Sequence, residues 1–586
     1  MGFDNFMLYL DESITGVLSN WDIYSTLIIT ALIGFFAYKV ITSRDPDSHP
    51  MLLARQSQAS PVRQEGQSAV FRNHTAPHGM PLNSGLHVKD PGDAKWTPGR
   101  NGDLRDIWRK AVTGAVDREG KETGEIGNLM TIYGSDKLVT HKLGLCNFVE
   151  DYYFHLTNFD AADVTRQINL IGQHIKQNGG NNIAIYLPNS IEYLAALFAC
   201  AFYDLSAILL PYDESPESLL ELINKSKADT VIAAVGSFPF DVVAKSYPAL
   251  QQMIWVVDDG SKHMDWNEVP KGTGGAVNVS TWQEILQDQE AHAGSELPAV
   301  DKNGKEPDKV VAFWPNGELV EFTQSVLVAG VSGQLASIPT VQRITSKDLF
   351  LSAEPLSLIY PLVLTLSALY SNASIALTSV SIKDPDLVLA TKGTSPTIVG
   401  ASSTTLAKLH AETKDNLTSP LYQIVHWFQT QSLVQHGVMP IATVFSRMYD
   451  HLLPIIGTTP GKLRLIYVSE PIGVPSTPLS AEMLSDLRIY TGSRIIYALT
   501  ASKVAGAVSQ TGIYDYRVDD GSEKYSHFGA PPPSVEIFLK DTKEYQTSDT
   551  SSVGEIIVRG PAVAGGEANL GIAGKIKPDN TLALLS

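Results

Sequence analysis

The sequence predicts an α/β protein whose core is a largely parallel sheet with helices on both faces. Between Asn158 and Gly236, segments of helical period alternate with short apolar runs, the pattern of consecutive βαβ units. The runs IAIYLP, AILLP and TVIAAV are apolar throughout instead of at every second position, as expected of strands covered on both sides. At 586 residues the chain exceeds what one core organises, so two or more subdomains are expected. With 44% hydrophobic and 18% charged residues, it has the composition of a globular protein. A formal net charge of -18 excludes nucleic acid as a partner, because phosphate neutralisation needs a basic surface. Cys146 and Cys200 are the two cysteines, too few and too far apart for a disulfide framework or a cysteine metal site.

In chain order, residues 1–22 form a short leading segment. Residues 23–41, IYSTLIITALIGFFAYKVI, make an apolar run. At about 1.5 Å per residue it would cross most of a roughly 30 Å hydrocarbon layer. One transmembrane helix is therefore expected there. Trp21, Tyr24 and Tyr38 lie at its ends, and Lys39, Arg44, Arg55 and Arg63 lie on its C-terminal side. That asymmetry predicts a single-pass membrane anchor, with the endoplasmic reticulum as its membrane and the C-terminal body in the cytosol. Residues 42–150 open with a Pro-, Ser- and Gly-rich stretch and read as a tether and entry segment.

The first α/β region is assigned to residues 151–470. Val164, Ile168, Ile171 and Ile175 recur at helical spacing behind the capping candidates Asn158 and Asp160, and Gly179-Gly180 closes that helix. Strand, helix and strand follow through LPNS to Pro211, then helix ESLLELINKSKAD leads into TVIAAVG. Val310 to Trp314 reads as a strand, Pro315-Asn316-Gly317 as a tight turn into a second strand, and Thr323 as the start of a helix. DLFLSAEPLSLIYPLVLTLSALY is a strand followed by a helix that is apolar all round, the mark of a buried helix. PTIVGASSTTLAKL repeats the strand-to-helix step with small residues at Ala401 to Thr405. Ala411 to Thr459 reads as an insertion, and its His426, His436 and His451 lack a metal-ligand spacing. KLRLIYVSEP closes this region as a strand.

Residues 471–586 contain SRIIYALTAS, a further strand, and then GSEKYSHFGAPPPSVEIFLKD and SSVGEIIVRGPAVAGGE, which alternate strands with turns. These segments, with LPNS and KLRLIYVSEP, resemble the adenylate-forming (AMP-binding) superfamily, and more narrowly its long-chain fatty acyl-CoA synthetase branch. The resemblance covers about Asn158 to Ser586. It implies an acyl-CoA synthetase-like large N-terminal domain made of two parallel-sheet subdomains plus a β-rich subdomain, preceded here by the transmembrane helix.

In that family a tyrosine at the position of Tyr497 stacks on adenine and a threonine at Thr500 meets the α-phosphate or acyl-adenylate. Ser469, Glu470 and Pro471 keep part of the turn that faces the adenine. Tyr360, Ala401 and Ser402 stand where the family builds its acyl pocket. Other positions depart. The glutamate that would hold Mg²⁺ is Ala501, which lacks the oxygen ligand a hard cation needs. The Ser/Thr/Gly-rich phosphate loop is replaced by WPNGE, in which Glu318 would repel a polyphosphate. The aspartate that grips ribose is Ile572, within Leu570-Gly571-Ile572. The family's lid domain, with its adenylation lysine, would lie beyond Ser586.

The resemblance with these departures implies a catalytically degenerate relative, with no catalytic residue and no metal ligand assigned. Its partners would be a membrane, a fatty acid or acyl-CoA, or another acyl-CoA synthetase chain. ATP or AMP and Mg²⁺ are cofactors only under the alternative of an active ATP-dependent fatty-acid-CoA ligase. A pure interaction scaffold is the third reading.

Overall fold

The alternation after Asn158 folds into a seven-stranded sheet, and the later strands form an eight-stranded and a six-stranded sheet. The computed structural model describes residues 15–16, 19, 22–42, 44–89, 94, 96, 98–114, 127, 129–133, 155–159, 161–212, 214–257, 277–287, 289, 294–299, 307–381, 384–459, 461–518, 524–547 and 552–585. Asp160 and Cys146, singled out above, lie outside them.

Across the seven-stranded sheet the order is Leu319–Phe322, Val310–Phe313, Ser206–Leu209, Asn182–Tyr186, Thr230–Ala234, Gln252–Val256 and Asn278–Thr281. Only the Leu319–Phe322 edge runs antiparallel, because it returns from Val310–Phe313 through the Pro315-Asn316-Gly317 turn. Gly317 there has φ +82°, a conformation that side chains with a Cβ rarely adopt.

The eight-stranded sheet runs Ser509–Gln510, Arg494–Thr500, Leu465–Pro471, Ile398–Ser402, Leu349–Ser352, Ser374–Thr378, Leu129–Tyr133 and His155–Phe159. Its interior strands are parallel and its two edges antiparallel. The six-stranded sheet is antiparallel throughout, in the order Ser57–Ala59, Phe71–Asn73, Glu536–Lys540, Val553–Arg559, Glu567–Ile576 and Leu582–Leu584.

Two apolar helices, Ile191–Tyr203 and Ile359–Tyr370, are buried over nearly their whole length. They share one core cluster with Ile183 and Leu209 of the seven-stranded sheet and with Phe350 and Ile375 of the eight-stranded one. A helix with no polar face can be stable only between two apolar layers, which is the place these two occupy. The hydroxyls of Thr365 and Ser367 inside this core donate to the carbonyls of Pro361 and Val363 at 2.8 and 2.7 Å. Asn189, at the end of LPNS, joins the layers by polar contacts. Its Nδ2 donates to the Glu354 carbonyl at 2.9 Å and its Oδ1 accepts from the Leu356 N–H at 2.8 Å.

Within 42–150, expected to be a tether, Ser57–Ala59 and Phe71–Asn73 pair into the six-stranded sheet and Leu104–Thr113 is a helix with Trp108 fully buried. Asp103 and Asp106 close a capping box at its start.

The expectation of a single-pass transmembrane helix is corrected. A helix does form over Ile23–Thr42, yet among the described residues no helix is long and apolar enough to cross a membrane. Polar Ser25, Thr26 and Thr30 interrupt its apolar run. The Ser25 and Thr26 hydroxyls turn back to Asp22, at 2.9 Å from Oδ1 and 3.2 Å from its carbonyl oxygen.

Candidate functional site

The carboxyl ends of the parallel strands Ile398–Ser402, Leu465–Pro471 and Arg494–Thr500 lie side by side, the place where open α/β sheets bind ligands. In register, Ser402 faces Ser469, and Pro471 faces Thr500. Ser469, Glu470 and Pro471, read above as part of a turn, therefore continue the strand. Parallel pairing to Ala498, Leu499 and Thr500 keeps their backbone extended.

Glu470 and Tyr497 form the centre of this corner. The Tyr497 hydroxyl donates to Glu470 Oε2 at 2.8 Å and accepts from the Leu479 N–H at 3.0 Å. The other carboxylate oxygen of Glu470 accepts from the Ser476 hydroxyl, and the Thr500 hydroxyl donates to the Glu470 carbonyl at 3.2 Å. Tyr497 is fully buried, with the Phe528 ring 4.7 Å away at an interplanar angle of 32°. Burial, reinforced by the neighbouring Glu470, pushes the Tyr497 phenol well above its ordinary range, so it is a hydrogen-bond donor and not a base.

Two of the three departures from the family pattern, the WPNGE turn and Ala501, converge on one cleft, while the third, Ile572, packs against the neighbouring core and does not line it. Trp314, Asn316 and Glu318 of the hairpin, Ala501 at the end of its strand, and Leu570 line a single cleft of about 140 Å³. Its shape follows from local chemistry. Asn316 Oδ1 accepts from the Glu318 N–H at 2.9 Å and closes the turn, while the Trp314 indole donates to the Ile472 carbonyl at 3.0 Å. Leu570 and Ile572 sit where the Val553–Arg559 and Glu567–Ile576 pairing shifts register, and Gly571 there has φ +68°. Lys503 also lines the cleft, with its Nζ 3.6 Å from Glu318 Oε1. The arrangement offers an acidic side chain where phosphates would require donors. Ala501 brings a methyl group to the position where the resemblance implies a Mg²⁺ glutamate, and the one carboxylate of the lining, Glu318, is already beside Lys503. The residues present do not fit Mg²⁺. Among all described residues no group of three or more His, Cys, Asp or Glu side chains is placed to hold a metal ion.

The acyl-pocket candidates occupy a second area at the same strand ends. Ala401 is fully buried, and the Ser402 hydroxyl accepts from the Thr405 N–H at 3.1 Å and lies 3.0 Å from Asp384 Oδ1, capping the Ser403–Asn416 helix. Tyr360 is buried with its hydroxyl unpaired. Between these positions lies Glu354, which the sequence reading did not single out. Ser469 donates to its Oε1 at 2.7 Å. Burial, opposed by that hydrogen bond and aided by Asp384, raises the Glu354 carboxyl to about 7. Its neighbours in AEPLS carried the signal: an acid inside an apolar strand-to-helix turn is expected to be buried and perturbed.

Where the 411–459 segment meets its neighbours, His410 Nε2 lies 2.9 Å from Asp486 Oδ2 and His426 Nε2 lies 3.1 Å from Asp486 Oδ1. Tyr490 stacks beside both imidazoles. Burial works against ionisation of Asp486, yet these two contacts hold its carboxyl down at about 2.

The AMP-binding enzyme family matches residues 319–566. Long chain acyl-CoA synthetase 7, peroxisomal, of Arabidopsis thaliana is 22% identical over 407 residues, which are 66% of this chain and 53% of that protein. An uncharacterized Saccharomyces cerevisiae protein is 21% identical over 541 residues, 85% of this chain and 83% of its own. The chain thus spans about half the length of the plant relative. Among solved structures, the anthranilate CoA ligase AuaEII in complex with anthranoyl-AMP superposes with a TM-score of 0.55 at 13% identity, over 82% of this chain and 77% of that one. Coronafacic acid ligase from Pectobacterium brasiliense superposes with a TM-score of 0.52 at 15% identity, over 83% and 78%. At such identities the superpositions show a shared fold.

Proposed function

We propose that this chain, which belongs to the adenylate-forming superfamily, is an acyl-CoA synthetase-like protein that binds acyl groups or a partner in lipid metabolism without adenylating a substrate. The observation that carries this reading is the convergence of Glu318, Ala501 and Leu570 on one cleft. Adenylyl transfer depends mainly on positioning and on neutralising phosphate charge. At this cleft the positions that by resemblance would carry the phosphate and metal contacts, Glu318 and Ala501, are both replaced. Each such loss costs about 3 kcal/mol of transition-state stabilisation, so their sum lowers a rate by several orders of magnitude. A volume of about 140 Å³ is also small beside the roughly 300 Å³ at which ligand pockets begin.

Acyl binding is supported by the small residues beside Ala401, by Tyr360, and by the long chain acyl-CoA synthetase names of the plant relatives. A protein partner, such as another acyl-CoA synthetase chain, is supported by the Pro420–Val434 helix. Leu421, Ile424, Trp427 and Phe428 on it are exposed. A working ligase is the second reading, favoured by Tyr497 and Thr500 at their strand end. It requires saturable ATP binding that Thr500→Val weakens.

Calorimetry with Mg-ATP, paired with equilibrium dialysis of a labelled long-chain fatty acid, separates these readings. Fatty acid binding without ATP binding is the expected result. Saturable ATP binding overturns it, and failure of both ligands with a partner recovered would leave a scaffold.

A further inference from the structure

We infer that a second cleft, on the six-stranded sheet, is a binding site for a phosphate-sized oxyanion. The cleft has a volume of about 190 Å³, and its lining includes Arg72, Arg559, Glu536, Gln64 and Gln67. Its floor is a constellation of two guanidinium groups on one carboxylate. Buried Glu536 accepts from Arg72 Nε at 2.5 Å through Oε2, and from Arg559 Nε at 2.6 Å and Nη2 at 2.5 Å through Oε1. One carboxylate balances one guanidinium, so the group keeps one positive charge, in a chain whose overall balance is -18.

The constellation is rigid. Glu536 and Arg559 are direct cross-strand partners, and Phe71, next to Arg72, pairs with Ile537. Arg72 Nη1 is fixed on the Met80 carbonyl at 2.9 Å, and the Arg559 guanidinium lies 5.6 Å over the Phe538 ring. Arg559 turns its Nε–Nη2 edge to Glu536, and Arg72 turns Nε to Glu536 and Nη1 to Met80, so none of these contacts uses Arg559 Nη1 or Arg72 Nη2. One remaining guanidinium N–H group from each of two arginines at one cleft suits the oxygens of a phosphate or phosphate ester. The side-chain amides of Gln64 and Gln67 add neutral donors, and Glu536 is the sole carboxylate among the lining residues. The volume admits a phosphate group and is small beside the roughly 300 Å³ at which ligand pockets begin.

The test is equilibrium dialysis of the full chain against labelled inorganic phosphate at low ionic strength, where charge is least screened. One saturable site is expected. Arg559→Gln, at a half-exposed side chain, should weaken it by about tenfold, the equivalent of one charge-assisted hydrogen-bond pair. Gln64→Glu, at an exposed position clear of the Arg–Glu contacts, should weaken it similarly by placing a negative charge at the rim. It decides the matter if Arg559→Gln fails to fold by circular dichroism. Competition with glycerol phosphate distinguishes the sources, since preference for the ester indicates an esterified headgroup and the reverse indicates free phosphate. Absence of saturable binding, or binding unchanged in a folded variant, overturns the inference.

Discussion

The Tyr497 hydroxyl is held between Glu470 Oε2, to which it donates at 2.8 Å, and the Leu479 N–H, from which it accepts at 3.0 Å. The Tyr497 ring is thereby built into the protein's own interior. Tyr497→Phe would leave a buried carboxylate oxygen and a buried N–H each short of a partner. Orphaned buried groups of this kind cost about 1–3 kcal/mol. Urea unfolding of the variant should show a loss in that range, and a loss under about 0.5 kcal/mol would mean the contact is not structural.

Glu354 makes stability depend on pH. Its carboxyl is raised from 4.5 to about 7 in the folded state, chiefly by burial. Between those values the native state holds the proton more tightly than the unfolded chain, so stability falls as pH rises through the window and levels off above it. Glu354→Gln keeps an acceptor for Ser469 and removes the charging cost. Relative to the parent, the variant should gain stability between pH 5 and pH 8, by an amount on the order of 3 kcal/mol at most. Parallel pH dependences of the two unfolding midpoints would contradict the assignment.

Asp486 behaves in the opposite sense. Despite the burial that opposes it, contacts from His410 and His426 lower its carboxyl to about 2. Its contribution is present above about 3.8, the ordinary aspartate value, and is lost as pH falls toward 2. Asp486→Asn should therefore cost on the order of 2 kcal/mol at neutral pH and almost nothing at the acid end. Equal loss at both pH values in denaturant titrations would show that packing, not charge, is responsible.

Gly330 permits a close approach between the Gln324–Ala336 helix and the loop that follows Thr500. A Cβ at that position would meet the Ala505 carbonyl oxygen. Because the obstacle is backbone, a side chain cannot swing aside, and Gly330→Ala should destabilise by about 1–3 kcal/mol despite the higher helix propensity of alanine. Differential scanning calorimetry reads this directly, and an unchanged or raised midpoint would contradict the packing.

Much of this architecture is legible in local patterns. Apolar runs such as IAIYLP stand out because strands buried on both faces leave no polar alternation, and Pro315-Asn316-Gly317 stands out because few sequences other than a tight turn use it. Ser57–Ala59 and Phe71–Asn73 do not stand out. They are three residues each and gain their strand character from the distant Glu536–Lys540 strand. The cleft is legible as separate departures, at Glu318 and Ala501, and its unity is not, since these two segments and Leu570 come from far apart in the chain and meet there. The Glu470–Tyr497 contact is likewise hidden. Their backbones are not register partners, and only the diagonal reach of the tyrosine across adjacent strands joins them. The apolar run at 23–41 shows how a local pattern can mislead, since it includes Ser25, Thr26 and Thr30 and forms a helix that does not meet the length and apolarity of a membrane span.

We propose that the chain keeps an acid-CoA ligase-like fold without adenylation. Fatty-acid-dependent exchange of labelled pyrophosphate into ATP, measured on the purified full chain with Mg²⁺, addresses it without any assumption about the acyl acceptor. Exchange no higher than a no-protein control, over a series of fatty acid chain lengths, is the predicted result. Robust exchange that depends on added fatty acid would contradict it and would make the cleft of Glu318, Ala501 and Leu570 part of an active site.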